Sequence, residues 1–191
     1  MKKLVIFASG SGTNMQAIID KIDSGEIRAK IVGLIVNKSG IKAIERAENF
    51  DIPVCVIEDK DDESFTSKLK KQLSDWNPDL IVLAGFLKKI PDSVIKKFQN
   101  KIINIHPALL PKFGGKGFYG LNVHKAVLES GDKETGCTVH FVNEEYDKGP
   151  IISQKKVPVH ANDTPEILAK RVLKAEHKLL PSVIKKLINQ S

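Results

Sequence analysis

Residues 4–14 have the sequence LVIFASGSGTN, in which a short apolar run leads directly into a turn of glycines and small polar residues. The run Leu4–Ala8 has the length and composition of a buried β-strand. After the turn, apolar side chains recur three, four and seven residues apart, at Met15, Ile18, Ile19 and Ile22. This spacing predicts a helix with one buried face, so the chain opens with a strand, a glycine-rich turn and a helix.

The same alternation continues along most of the chain and predicts βαβ units in a parallel sheet. Further strands are predicted at Ile31–Val36, Val54–Ile57, Leu80–Ala84 and Ile102–His106, and two of antiparallel character at Thr138–Val142 and Ile151–Val157. Helices are predicted over residues 41–50, 63–74, 91–98 and 122–129, and a long one after the capping sequence 163–166. The predicted fold is α/β: a Rossmann-like, doubly wound, mostly parallel sheet with helices on both faces, antiparallel strands in the C-terminal part, and one domain over residues 1–191.

Composition excludes several classes of protein. With 41% hydrophobic and 28% charged residues, the chain is typical of a globular protein. The run Leu4–Ala8 is too short for a signal peptide, and no apolar stretch approaches the roughly 18 residues of a membrane span. Cys55 and Cys137 lack metal-ligand spacing, which favours reduced core residues. We therefore expect a cytoplasmic protein with no membrane partner and no metal.

The net charge of +7 makes nucleic acid a partner to consider. Among the 30 cationic residues, however, only Arg28, Arg46 and Arg171 are arginine, the residue that best grips phosphates and bases. The lysines are scattered and are not interleaved with aromatic residues. This distribution favours a solvated surface that attracts small anionic molecules, and we expect no nucleic-acid partner.

Three segments are candidates for chemistry, and the first is the turn Ser9–Asn14. Its two glycines allow a tight turn and a close backbone approach to a ligand, and the N–H groups that open the following helix suit a phosphate. The dinucleotide fingerprint lacks its third glycine, because Met15 and Ala17 stand there, and the Walker pattern is absent. The turn predicts a site for a single phosphate group, and the alternative is a plain turn capped by Thr13 or Asn14.

The second segment is Asn104-Ile105-His106-Pro107, at the end of a central predicted strand. Ligands of open α/β sheets bind outside the carboxyl ends of the strands. Alternation along a strand puts Asn104 and His106 on one face, where an amide and an imidazole can stabilise a carbonyl oxygen that gathers negative charge. A lone histidine is more often structural, so this pair alone leaves both interpretations open.

The third segment is GCTVHFVNEEYDKG, residues 136–149. Glu144 and Glu145 have the pattern of a solvated turn, whereas Asp147 stands just before a Gly-Pro turn that returns the chain to the sheet. From this position its carboxylate could reach a histidine at a neighbouring strand end.

Together these segments make the chain similar, over essentially its full length, to the glycinamide ribonucleotide formyltransferases of de novo purine synthesis. The resemblance is carried by Gly10–Asn14, Leu83–Phe86, Asn104–Lys112 and Gly136–Gly149, in this order. The last segment has the family's pattern G-x-T-V-x-F-V-x-E-x-Y-D-x-G at fixed spacing. The resemblance implies a Rossmann-like sheet whose strand ends bring phosphate and folate sites together, and formyl transfer from 10-formyltetrahydrofolate to the amine of glycinamide ribonucleotide without a metal.

The resemblance also implies roles for particular residues. It implies a catalytic trio of Asn104, His106 and Asp147. The substrate-binding residues that it implies are Gly12, Thr13, Asn14 and, for the ribose, Glu176. The folate-binding residues that it implies are Leu87, Lys88, Lys89, Ile90, Asn104, Val142 and Asp147. Cys137 falls in the family's active-site lining, so a partly accessible thiol is expected.

Some positions depart from the family pattern. Lys88 and Asp62 stand where arginines are frequent, so we expect a weaker grip on the folate's glutamate tail. Leu173 occupies a position near the ribose that is often polar. The glycine-rich segment 112–120 is longer than in compact members and is expected to form an exposed, mobile loop.

The expected reaction begins with attack of the substrate's primary amine on the formyl carbon. Asn104 and a protonated His106 stabilise the anionic oxygen of the tetrahedral intermediate. A nearby carboxylate favours a charged imidazole, so Asp147 is expected to keep His106 protonated and to hold a water that carries the amine's proton. The expected partners are small molecules, a phosphorylated ribosyl amine and folate, and the protein is expected to be a monomer or homodimer.

Two alternatives stay open at this point. A formyltetrahydrofolate hydrolase resembles this domain and could use the same trio with water as nucleophile, but it typically carries a regulatory domain ahead of the catalytic one. We expect neither that domain nor the C-terminal domain of a methionyl-tRNA formyltransferase, because the first strand begins at once and the chain ends at Ser191. The alternative of another class is a non-catalytic nucleotide- or RNA-binding module, which leaves the trio without a role.

Overall fold

Strands and helices alternate along residues 1–190, the part of the chain that the computed structural model describes. The strands are β1 (Lys2–Ala8), β2 (Ala29–Val36), β3 (Val54–Val56), β4 (Leu80–Leu83), β5 (Ile102–His106), β6 (Glu134–Phe141) and β7 (Ile151–Pro158). The helices are α1 (Thr13–Asp23), α2 (Lys42–Glu48), α3 (Asp62–Trp76), α4 (Asp92–Lys97), α5 (Leu121–Ser130) and α6 (Pro165–Asn189).

The strands form one seven-stranded sheet with the order β3-β2-β1-β4-β5-β6-β7. The first five strands run parallel, and β6 and β7 are antiparallel additions beside β5. The order reverses direction at β1, because β2 lies on one side of it and β4 on the other. The predicted fold class is confirmed, and a crevice opens beyond the carboxyl ends of β1, β4 and β5.

The sheet separates two apolar clusters, and β1 contributes to both. Leu4 and Ile6 pack among α1, α2 and α6, whereas Val5 and Phe7 pack against α3 and α4. A parallel strand covered on both faces has no polar side, which explains why residues 4–8 form an unbroken apolar run. Helices therefore cover both faces, as the sequence predicted.

Helix boundaries follow their predicted signals closely. In α1 the residues Met15, Ile18 and Ile19 are buried, as their spacing predicted. Thr164 caps α6, since its side-chain oxygen accepts a hydrogen bond from the Ile167 N–H at 3.3 Å. The long closing helix is confirmed and packs one apolar face on the sheet.

Several observed boundaries differ from the predicted ones by one or two residues, and two differences have a clear structural cause. Strand β6 begins at Glu134 rather than Thr138, because Glu134–Gly136 pairs with the end of β7 in a long hairpin. Burial on both faces removes the polar alternation that would have marked this extension. Pro91, expected in the first turn of a helix, instead precedes α4 in an extended conformation, with φ −60° and ψ 138°.

Candidate active site

A cavity of about 590 Å³ occupies the crevice at the carboxyl ends of the central strands. The turn after β1 forms one end of it, and the last residues of β5 form the other. Glu176 of α6 and the glycine-rich loop between β5 and α5 complete the wall. The structure therefore brings segments that are distant in sequence to one opening.

The turn Ser9–Asn14 is held in place by its neighbours after β4. The Ser9 N–H donates to the carbonyl of Gly85, and the Leu87 N–H donates to the Ser9 hydroxyl oxygen, both at 3.0 Å. No side chain caps α1, and the backbone N–H groups of residues 11–14 make no hydrogen bond within residues 1–190. Gly12, Thr13 and Asn14 line the cavity here, so the turn offers free donors at a helix N-terminus.

Gly12 is required by packing as well as by conformation. Its φ of 71° lies in the left-handed region, which favours glycine. A Cβ atom at this position would lie 2.8 Å from the Cα of Ala43, on α2. The absent side chain thus faces α2 rather than the cavity, so a larger residue at position 12 would disturb the fold before it obstructed a ligand.

Asn14 and Glu176 form a buried pair beside the turn. The Asn14 amide nitrogen donates to a Glu176 carboxyl oxygen at 2.7 Å. Burial raises the pKa of Glu176, and the bond from Asn14 opposes this. The amide oxygen of Asn14 has no hydrogen-bond partner within residues 1–190. Leu173 lines the cavity close by, so the wall combines an apolar side chain with hydrogen-bonding groups that a sugar could use.

The three residues of the predicted trio lie together at the other end of the cavity. Asn104 and His106 share one face of β5, as the alternation predicted. Asp147 reaches both of them: its carboxylate lies 3.4 Å from the Asn104 amide nitrogen and 3.6 Å from Nδ1 of His106. The structure therefore brings the three predicted residues together.

A tight turn delivers Asp147 to this position. Asp147 has a positive φ of 54°, a conformation that aspartate tolerates better than most residues. Two residues later, Gly149 packs so closely on β6 that a Cβ atom would lie 1.7 Å from the Phe141 carbonyl oxygen. Glycine is thus the residue that lets this turn fold back onto β6 and aim the carboxylate at the trio.

His140 is a site residue to which the sequence analysis gave no role. It stands opposite Asn104 in the pairing of β5 and β6. Its Nδ1 lies 2.8 Å from the Phe141 carbonyl oxygen, which can only accept, so Nδ1 carries the proton. Its Nε2 then accepts from the Asn104 amide at 3.1 Å. Only the strand register, which one sequence does not reveal, would have singled out this histidine.

Electrostatics in the trio differ from the expectation of a protonated His106. Burial lowers the pKa of His106 below its ordinary 6.5, and the nearby Asp147 carboxylate and the bond to the Phe113 carbonyl oppose this without reversing it. Burial acts in the opposite sense on Asp147, but contacts with His140, His106 and the Gly115 N–H outweigh it and hold the pKa of this carboxyl below 3.8. The Asp147 carboxylate thus acts on His106 in the expected direction, but burial has the larger effect and lowers the pKa of the imidazole.

The glycine-rich loop 112–120 lies over the trio. The Phe113 carbonyl accepts a hydrogen bond from His106 Nε2 at 2.7 Å, and the Gly115 N–H donates to Asp147 at 2.9 Å. Five of the nine loop residues are exposed, as expected, whereas Phe113, Gly114, Gly115 and Phe118 are half-buried. Two of the trio's polar groups are thus bonded to loop backbone.

The residues predicted to bind folate line a second hollow beside the cavity. They are Leu87, Lys88, Lys89, Ile90, Asn104, Val142 and Asp147. Asn104 and Asp147 also line the first cavity, so they form part of the wall between the two spaces. Lys88 is bonded to the Asp59 carbonyl at 2.9 Å and paired with Asp62 at 3.3 Å. The two positions that depart from the family pattern are therefore paired with each other.

Cys137 is not accessible. Its side chain is fully buried on the sheet face opposite Thr138 and His140, in the cluster beneath α6. Burial raises the pKa of this thiol to about 12, and the charge of Glu176 adds to the effect. The expectation of a partly accessible thiol is wrong, whereas both cysteines are free, as expected.

Two kinds of feature are absent from residues 1–190. No cluster of three or more histidine, cysteine, aspartate or glutamate side chains could hold a metal ion there. No helix in this part of the chain is long and apolar enough to cross a membrane.

Comparison with known proteins extends the resemblance to the whole fold. The formyl transferase family pattern matches residues 2–184. A phosphoribosylglycinamide formyltransferase of Bacillus subtilis (strain 168) is 41% identical over 191 residues, which cover 98% of this chain and 95% of that protein. A chloroplastic phosphoribosylglycinamide formyltransferase of Arabidopsis thaliana is 48% identical over 96% of this chain, but the chain spans only 64% of that relative's length.

A solved structure gives the same result in three dimensions. The phosphoribosylglycinamide formyltransferase from Bacillus Halodurans superimposes with a TM-score of 0.91 at 36% sequence identity. The match covers 98% of this chain and 95% of that one. The chain therefore belongs to the phosphoribosylglycinamide formyltransferase family.

Proposed function

We propose that the protein transfers a formyl group from 10-formyltetrahydrofolate to the primary amine of glycinamide ribonucleotide, a step of purine biosynthesis. The observation that carries this proposal is the pair of adjoining spaces with Asn104 and Asp147 in both walls. Two reactants that occupy these spaces would meet at those two side chains. Such side-by-side binding removes much of the entropic barrier to a reaction between two molecules.

The first space suits a phosphorylated ribosyl amine. Free N–H groups at the start of α1 suit a phosphate dianion, because they point their dipoles at it. At mid-cavity, the partnerless oxygen of Asn14 and the carboxyl group of Glu176 can hydrogen-bond to ribose hydroxyls. A substrate held at these points would direct its amine toward the trio.

The second space suits the folate. Leu87, Ile90 and Val142 contribute apolar surface. The backbone groups of residues 88–90 make no hydrogen bond within residues 1–190, so they are available to a ring with several donors and acceptors. Asn104 and Asp147 stand at the inner end of the hollow. A folate bound there would present its N10-formyl group to them.

Asn104 and His106 would stabilise the oxygen that becomes anionic when the amine attacks the formyl carbon. A neutral His106 can donate this hydrogen bond, because its Nε2 carries a proton. In the structure this N–H donates to the Phe113 carbonyl oxygen. The formyl oxygen would replace the Phe113 carbonyl as acceptor, so residues near 113 must move when substrates bind. Asn104 would turn an amide hydrogen from Asp147 toward the same oxygen while it keeps its bond to His140.

Asp147 would assist the transfer of a proton from the substrate's amine to N10 of the folate. The amine loses one proton, the bond between the formyl carbon and N10 breaks, and N10 gains a proton. The pKa of Asp147 lies below its ordinary 3.8, so the carboxylate is ionised at neutral pH and can hold a water between the two nitrogens. The reaction then needs no net proton from solvent.

One experiment separates this proposal from its alternatives. Folate absorbance is followed after the protein is mixed with 10-formyltetrahydrofolate, once with and once without glycinamide ribonucleotide. We expect turnover only when the amine is present. Turnover without the amine would identify a formyltetrahydrofolate hydrolase, and no turnover in either mixture would favour a non-catalytic binding module. A cytoplasmic location and a monomeric or homodimeric state stay predictions of the sequence.

A further inference from the structure

One side of the turn Ser9–Asn14 faces the cavity, and the opposite side packs against α2. The Gly10 carbonyl accepts a hydrogen bond from the Ala43 N–H at 3.2 Å. The next carbonyl, that of Ser11, accepts from Nε of Arg46 at 2.9 Å. Two consecutive carbonyl groups of the turn are therefore both bonded to α2.

This arrangement fixes the direction of the N–H groups. In a trans peptide the carbonyl and the following N–H point in opposite directions. With the Gly10 and Ser11 carbonyls turned to α2, the N–H groups of Ser11 and Gly12 point away from α2 and toward the cavity that both residues line. Neither N–H has a protein partner within residues 1–190, so both are available to an anion.

Arg46 is the charged member of this arrangement, and it lies outside the cavity lining. Besides its bond to Ser11, its Nη1 donates to the Gln16 side-chain oxygen at 3.2 Å, and Gln16 in turn donates to Asp20 at 2.9 Å. The guanidinium is thus bonded both to the turn and to α1. A cationic donor on a carbonyl polarises the peptide group and strengthens its N–H as a donor.

We propose that Arg46 is a positioning residue of the phosphate site, which turns and polarises the Ser11–Gly12 peptide so that its N–H binds the phosphate dianion. The proposal rests on the proposed function only in taking the ligand of the turn to be the substrate's phosphate. Arg46 does not itself touch the ligand, so its effect belongs to phosphate affinity and to the preference for a phosphorylated substrate.

Phosphate binding tests the proposal without any turnover. Inorganic phosphate is titrated into the wild type, Arg46→Met and Arg28→Met, and its dissociation constant is measured by phosphorus NMR. Arg28 is an exposed arginine just before β2, at the opposite end of the parallel strands from the turn, so Arg28→Met removes the same charge from a distant place. We expect about tenfold weaker binding in Arg46→Met, the loss typical of a charge-assisted hydrogen bond, and less than twofold in Arg28→Met. Equal affinity in Arg46→Met and the wild type would overturn the proposal.

Substrate preference separates positioning from a general structural defect. The ratio of kcat/KM for glycinamide ribonucleotide to kcat/KM for the unphosphorylated riboside should fall about tenfold in Arg46→Met. A structural defect would lower both kcat/KM values and leave their ratio intact, which would contradict the proposal. Arg46→Lys, which keeps the charge and stem but loses the planar donor set, should show a smaller fall in the same direction, and it provides the test if Arg46→Met does not fold. A wild type that binds phosphate through Arg46 but transfers no formyl group would refute the proposed function and leave this inference standing.

Discussion

The two ends of the cavity are built differently. At the turn Ser9–Asn14 the carbonyls are bonded to α2, and the neighbouring N–H groups have no protein partner in the described part of the chain. At the trio the donors are already used: Asn104 donates to His140, and His106 to the Phe113 carbonyl. One end offers free donors on a fixed backbone, whereas the other has donors occupied by protein acceptors.

The difference corresponds to the two tasks that we propose for the cavity. A binding site for a permanent anion gains most when its donors are fixed and free before the ligand arrives. A site for a transient oxyanion can begin with its donors satisfied, because exchange of one acceptor for another changes the free energy little until charge develops on the substrate. The loop 112–120 supplies the acceptor that is exchanged, namely the Phe113 carbonyl. The N–H groups of residues 11–14 have no protein acceptor to exchange within residues 1–190.

Substitutions in the trio of Asn104, His106 and Asp147 should cause the largest loss of activity. Asp147→Asn removes the carboxylate that accepts from Asn104 and Gly115 and that faces His106. We expect kcat to fall about a hundredfold or more, the range of general acid–base groups, while KM for both substrates changes far less. Because the Asp147 charge raises the pKa of His106, its removal should lower that pKa further. Steady-state kinetics and NMR titration of the imidazole measure both effects.

Glu144→Gln provides the matched control for this change. Glu144 is an exposed acid three residues earlier, in the same turn region. Its loss should leave kcat and the pKa of His106 nearly unchanged. Near-normal kcat in Asp147→Asn would make Asp147 structural and the proposed proton path wrong.

A substitution at Gly12, in the turn Ser9–Asn14, should lower the stability of the fold before it lowers the affinity for phosphate. Gly12→Ala forces a Cβ atom against Ala43 of α2 at a positive φ, which we expect to cost about 2 kcal/mol of unfolding free energy. Gly10→Ala places its Cβ atom in open space, with no heavy atom within 4 Å, and should cost less than about 0.5 kcal/mol. Urea unfolding of the two variants measures the contrast. Equal stability would mean that α2 does not hold the turn as tightly as the packing indicates.

Substitution of His140 should lower kcat by an intermediate factor, because His140 acts through its hydrogen bond with Asn104. His140→Leu removes the acceptor of the Asn104 amide, and the amide is then free to turn away from the substrate. We expect kcat to fall about tenfold, the cost of one lost hydrogen bond at a buried polar group, with little change in KM.

A rescue and a control define this role. His140→Gln should recover part of the rate, because a glutamine oxygen can accept from the same amide, and His160→Leu, at an exposed histidine, should have no effect. If His140→Gln is as slow as His140→Leu, the imidazole contributes something other than the orientation of Asn104.

Much of this molecule could be predicted from its sequence, because local signals agree with the fold. The apolar run 4–8, the helix spacing from Met15 and the cap at Thr164 each specify an element, and the structure confirms them. The Gly-Pro turn indicated only that Asp147 could reach a histidine, and the resemblance to a family was needed to join it to Asn104 and His106. The role of His140, the burial of Cys137 and the lowered pKa of His106 depend on strand register and on the low dielectric of a closed site. These three properties cannot be predicted from the sequence without the fold.

The smallest expected effect concerns the exposed rim of the folate hollow. Lys88 is predicted to bind folate and would attract its anionic glutamate tail, but its ammonium group is paired with Asp62 at 3.3 Å and lies 4.0 Å from the centre of the Phe65 ring. Asp62 is 92% exposed, so the pair is screened by solvent and contributes only about 0–1 kcal/mol.

Asp62→Asn leaves Lys88 held by the Asp59 carbonyl but without a carboxylate to neutralise it. We expect affinity for a polyglutamated folate to rise no more than about threefold, and affinity for the monoglutamate to rise less, because each added carboxylate gains from the freed charge. The gain should vanish near 1 M salt, where the Debye length is about 3 Å. Glu63→Gln is the control, since it removes the same charge from the neighbouring exposed position, which makes no ion pair with Lys88. If Glu63→Gln raises the affinity as much as Asp62→Asn does, the general field of the surface attracts the tail, and Lys88 has no special part in it.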